Sequence, residues 1–242
     1  MTKDDDRHDS NVAPFVPRDD DAADDYNRAL DEDLDELFGF EDDDDLLAEW
    51  DEADAEAVQL LREALPELRG LPAPRQALTE AAERIRAGIA AQHVPYTYIS
   101  GAAGWNGKLP GDDLELWIGA TGSLLAGLDE FPMPIEELST IMALQHGDWA
   151  GAVLGLVRGG VGAPATPEDL VQYADECPEI EGEADPEDAE VIEEGFGHLL
   201  DLWEATGAVE ADRLTELGRW GLPRALAWAW QGDFDAEAQA DE

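Results

Sequence analysis

Carboxylates dominate this chain. Its 242 residues carry 59 Asp and Glu against 14 Lys and Arg, a formal net charge of −45. Charge of that size repels itself and opposes compaction, so the chain folds only if an apolar core outweighs it. An apolar fraction of 44% can supply such a core, and the length suits one good-sized domain or two small ones. A polyanion is pushed away from DNA, RNA and anionic lipid. It is drawn to cations and to basic proteins. Neither nucleic acid nor a membrane is therefore an expected partner, whereas a basic protein is. Two explanations of the charge stay open: a salt-adapted proteome, in which screening relieves the repulsion, and a surface built to meet a basic partner.

The acids are not evenly spread. Residues 1–55 hold 23 of them against 4 bases, with runs at 19–21 and 42–45. Such runs stay solvated, and the stretch is expected to be a disordered acidic tail. Leu30, Leu34, Leu37 and Phe38 nevertheless fall at one helical spacing, and Leu46, Leu47 and Trp50 follow. Acidic segments studded with bulky apolar residues can fold onto a partner. Leu34, Leu37, Phe38 and Trp50 are thus candidate partner-binding residues, against the plainer reading of a tail whose apolar groups touch its own domain.

Beyond residue 55 the pattern is helical. Three parts are expected: a helical N-terminal part at 56–131, a second helical part at 132–232 and an acidic tail at 233–242. Val58, Leu61, Leu65 and Leu68 keep helical spacing over 56–69, and Leu78, Ala82, Ile85 and Ile89 do so over 75–92. Arg75, Arg84 and Arg86 give the second helix a basic side suited to pairing with carboxylates. The Gly-rich stretch 95–131 is ambiguous, with 114–125 read as a helix. Two helices are expected over 134–158, broken at Gly147. Thr166 before Pro167 starts a short helix, and Asp185 before Pro186 starts another that runs to about Thr206 and ends at Gly207. Residues 208–209 and 213–214 can pair as a minimal hairpin. Thr215 caps the last helix, in which Pro223 is expected to produce a kink or a break. Trp203, Trp220, Trp228 and Trp230 are expected to pack the last two helices together.

Little in the sequence points to catalysis. Cys177 is the only cysteine, which excludes an intrachain disulfide and a multi-thiolate zinc site. Acids surround it and should raise its pKa, making it a poor nucleophile. His146 and Asp148 have the types of a general base and its orienter, but neighbours of that kind are common by chance. His198 flanks an apolar stripe; His8 and His93 have no partners in view. No His-x-x-x-His or Glu-x-x-His spacing is present, so neither metal nor cofactor is expected. The glycines at 159, 160 and 162 precede a helix but lack the lysine of a phosphate loop. No apolar run of about 18 residues exists, and the N-terminus lacks the apolar core of a signal peptide. The cytoplasm is the expected location. Trp105, in a Gly-rich loop, is the tryptophan with a candidate binding role.

Gly207, Val209, Leu214, Thr215 and Gly218 together carry a resemblance. A helix ending at a glycine, a short apolar strand and a Leu-Thr opening of a closing helix resemble the recognition-helix, wing and final-helix segment of MarR/PadR-type winged-helix regulators. The resemblance covers about 60 residues and implies a mainly α fold with a winged-helix-like C-terminal part. The sequence departs from that family where DNA would bind. The helix expected at 187–206 carries Glu187, Asp188, Glu190, Glu193, Glu194, Asp201 and Glu204 and no Lys or Arg, whereas DNA readers gain affinity from bases that meet phosphates. Glu187, Asp188, Glu190 and Glu194 are candidate partner-binding carboxylates. The stretch from Gln145 to Pro223 also resembles a family of uncharacterised actinobacterial proteins, and the Arg-over-Lys bias suits a GC-rich genome. The expected function is a non-enzymatic acidic interaction or regulatory protein, one form of which is a DNA mimic. The alternatives are a winged-helix transcription regulator that binds DNA, and an enzyme whose pocket gathers His146, Asp148 and Trp105.

Overall fold

The computed structural model describes residues 44–105, 107–123, 134–180 and 189–236. The chain divides into two units, Met1–Leu47 and Ala48–Glu242, and the fold below is that of the second. It is mainly helical, and among the described residues β pairing is limited to two isolated bridges.

Helix α1 (Asp44–Ala64) starts eleven residues before the expected end of the acidic tail. Its sequence explains the difference: it is rich in Ala, Leu and Glu with no Gly or Pro, and acids open its first turn where the helix dipole favours them. Leu34, Leu37 and Phe38 lie outside the described residues, and the disorder expected of 1–43 lies there too. Ala57, Val58, Leu61 and Leu65 are buried. The helix stops at Ala64 and not near Gly70, because Pro66 restricts the residue before it. Leu65 takes φ −125° and ψ 52°, and a single 3-10 turn, Pro66–Leu68, carries Leu68 into the core.

Helix α2 (Arg75–Ala90) buries Leu78, Ala81, Ala82, Ile85 and Gly88. Short α3 (Tyr96–Ala102) and α4 (Asp113–Gly122) follow. Asp112 caps α4 by accepting from the backbone N–H of Leu114 and Glu115, both at 3.0 Å. Helix α5 spans Ile135–Met142 and α6 spans His146–Gly159. Helix α7 (Pro167–Asp175) opens with a capping box in which Thr166 and Asp169 satisfy each other's backbone N–H. Helix α8 (Ala189–Thr206) is the centre of the unit, packed by α2, α3, α4, α5 and α7. Helix α9 (Glu216–Ala229) is capped by Thr215, whose hydroxyl accepts from Gly218 N–H at 2.9 Å.

The segment between α6 and α7 and the segment between α8 and α9 form a small backbone ladder. Val209 bridges Leu214 and Pro164 bridges Arg213, both antiparallel. Gly162 N–H donates to Leu214 O at 2.8 Å, Leu214 N–H to Ala163 O at 3.0 Å, and Ala165 N–H to Asp212 O at 2.9 Å. Gly160 and Gly162 take φ of 82° and 87°, which only glycine adopts freely. The glycines therefore serve the turn into this ladder.

Three expectations are corrected. Of the kink or break expected at Pro223, the break is absent: the last helix is continuous through it. Trp203, Trp220 and Trp230 are buried, but Trp228 is 43% exposed. Residue 233 does not begin a free tail: Phe234 is 2% exposed and packs in the core.

Candidate functional site

Three places concentrate chemistry. The first is Arg224, on α9 and only 5% exposed. An unpaired guanidinium at that depth would cost several kcal/mol (about 3–5), and this one donates four hydrogen bonds. Nε donates to Asp235 Oδ2 at 2.9 Å and Nη2 to Asp235 Oδ1 at 2.6 Å, the bidentate geometry that suits a carboxylate. Nη1 donates to Trp220 O at 2.5 Å and Nη2 to Leu68 O at 2.7 Å. The cation lies 4.4 Å from the centre of the Trp220 ring and 5.0 Å from that of Phe234. Asp235 also accepts from Gly70 N–H at 3.0 Å, Arg69 donates to Ala236 O at 3.1 Å, and Arg62 donates to Asp233 O. Burial acts to raise the Asp235 pKa, but the hydrogen bonds from Arg224 and Gly70 outweigh it and the net shift is downward. This is a clasp that fastens residues 233–236 to α9 and the α1–α2 turn.

The second place holds His146, Asp148 and Cys177. The histidine does not use Asp148: Nε2 pairs with Asp54 of α1, and the ring lies 5.2 Å from that of Trp230. Asp148 caps its own helix, accepting from Gln145 N–H at 2.8 Å, and burial raises its pKa. Trp105 lies elsewhere, its ring over Gly119 of α4. Cys177 is buried, and burial pushes its thiol up. Beside it, Arg158 holds Glu179 with bonds of 2.9 and 2.5 Å and brings that carboxyl down to about 2. The residues proposed for an enzyme thus serve capping, pairing and packing.

The third place is an open cleft of about 650 Å³ between the segment 94–98 and the C-terminal half of α8. Val94, Pro95, Tyr96 and Tyr98 form one wall; His198, Asp201, Leu202, Glu204 and Ala205 form the other. The walls are built by local necessity. Tyr96 lies against Gly88 so closely that a Cβ there would overlap its ring. Its hydroxyl donates to Ala205 O at 3.3 Å, tying α3 to α8. Asp201 and Glu204, three residues apart, share a helix face.

Of the residues expected to bind a partner, Glu190 and Glu194 are exposed on α8. Glu194 Oε1 is 4.0 Å from His198 Nε2. Glu187 and Asp188 lie outside the described residues. Trp50 lies within α1, and Trp105 is half-buried. The sequence reading missed both the clasp and the cleft. Among the described residues, no group of three or more His, Cys, Asp or Glu is arranged to hold a metal, and no helix is long and apolar enough to cross a membrane. Compared with family models, curated proteins and solved structures, the chain gives no match.

Proposed function

We propose that the protein is a non-enzymatic interaction protein that offers an acidic surface to a basic partner. The observation that carries this reading is the solvent face of α8. Glu190, Glu193, Glu194, Asp201 and Glu204 are exposed along it, with no Lys or Arg anywhere in the helix. Between Glu190 and Glu204 the helix advances about 21 Å, so a partner meets a row of carboxylates. One form of the reading is a DNA mimic in which that row stands in for phosphates.

The order of elements supports a winged-helix-like C-terminal part. Helix α6, a paired segment at 162–165, α7, α8, the bridged turn at 209–214 and α9 follow one another as such a part requires. In that arrangement α8 takes the recognition position, where base contacts come from the helix's N-terminal residues. Here those residues include Glu190, Glu193 and Glu194. The same order favours a second reading, a winged-helix regulator that binds DNA, and the acids on α8 argue against it.

Capture of partners on the immobilised full chain, at low and high salt, tests the proposal. A partner of high isoelectric point that is retained at low salt and released at high salt is the expected result. Binding indifferent to salt, or a sequence-specific gel shift with duplex DNA, overturns it.

A further inference from the structure

We infer that the cleft between residues 94–98 and α8 is a receptor for an arginine side chain carried on an extended segment of a basic protein. The inference rests on the acidic-surface reading above and gives it an address. Cleft volume comes first: about 650 Å³ lies within the range of built ligand sites. It is far more than a packing defect leaves.

Charge comes second. Asp201 and Glu204 line the cleft, and no Lys or Arg lines it. Three other carboxylates in this unit are engaged by arginine: Asp113 by Arg86 at 2.7 Å, Glu179 by Arg158, and Asp235 by Arg224. The carboxylates of Asp201 and Glu204 are exposed and make no hydrogen bond or ion pair with a described residue. A cation entering the cleft therefore displaces no internal partner.

The walls come third, and they choose the kind of cation. Val94 is 65% exposed, an apolar side chain left open at the rim. Tyr96 and Tyr98 add aromatic surface to the same wall. A planar guanidinium stacks on aromatic faces, is weakly hydrated and pairs with carboxylates through a fixed fork. A lysine ammonium is compact and strongly hydrated, and gains less from such walls. Apolar rim, aromatic wall and opposed carboxylates thus fit arginine better than lysine. The contact of Tyr96 with Gly88 and Ala205 holds one wall in place before any ligand arrives, which limits the ordering cost of binding.

Calorimetric titration of the full chain with a short Arg-Gly repeat peptide, and with its Lys-Gly counterpart, tests the inference. The Arg peptide is expected to bind, and to bind more tightly than the Lys peptide. Removing the two cleft charges by D201N/E204Q should weaken the Arg peptide about tenfold. Removing two exposed charges outside the cleft by E56Q/E216Q should change it less than about twofold. Y98L, which keeps apolar volume but removes the phenol ring, should reduce the preference for Arg over Lys. Equal weakening by both double variants overturns the cleft and leaves the general acidic-surface reading standing. Equal affinity for the two peptides overturns the guanidinium assignment. Binding of neither peptide by the unaltered chain overturns the surface reading itself.

Discussion

Arg224 shows how one residue can organise a region that its sequence context disguises. In the sequence it is a charge inside a helix, which ordinarily reads as a solvated position, and its partner Asp235 sits in what looks like an acidic tail. Only packing brings them together, so no local pattern could have revealed the clasp. Arg224→Ala should lower stability in urea unfolding by about 2–3 kcal/mol, because it leaves the Asp235 carboxylate without its guanidinium. The value is set below the fully buried limit because the Asp235 side chain is 44% exposed. An unchanged midpoint would contradict the clasp. Two depressed carboxyls also fix a pH dependence. Glu179 falls from 4.5 to about 2 in the fold, and Asp235 shifts in the same direction. Each contributes stability that is complete above its unfolded pKa and is lost as pH falls through its folded pKa. Between pH 4.5 and about 2, unfolding with and without Glu179→Gln should converge. A difference that persists at the acid end would contradict the assignment.

Elements were more legible than residues. Apolar spacing located α2, α6 and α9 closely, because amphipathic period is set by burial and survives in the sequence. The caps at Thr166 and Thr215 were legible for a different reason: a hydroxyl that satisfies a free backbone N–H needs no tertiary partner. Misses fell where tertiary context decides or where one local signal competed with another. The backbone pairing of 162–165 with 212–214 is too short to leave an alternation. The end of α1 was set by Pro66, a local signal that the apolar spacing overrode. Pro223 is accommodated within α9, which runs on through it. The candidate site divides the same way. Acids on α8 were legible from composition, whereas the cleft depends on Tyr96 meeting Gly88 and Ala205 across the fold. Gly88→Ala should therefore displace Tyr96 and cost about 1–3 kcal/mol, read by urea unfolding. It should also change tyrosine fluorescence. A silent substitution would mean that the wall is not packed as described.

For the whole molecule, charge and core oppose each other. Trp117 and Trp203 are fully buried, and Trp117 Nε1 donates to Thr206 O at 2.8 Å. Such aromatic burial is what lets a chain of net charge −45 fold at all. Thermal stability should accordingly rise with neutral salt: from about 0.01 M to about 1 M the screening length falls from about 30 Å to about 3 Å. A Tm independent of salt would show that self-repulsion is not a governing term. The central claim is that this surface takes basic ligands and rejects nucleic acid. Fluorescence anisotropy, with a labelled arginine-rich peptide and a labelled DNA duplex titrated in parallel at physiological salt, tests it most directly. The account predicts saturable binding of the peptide and none of the duplex; binding of the duplex and not the peptide would contradict it.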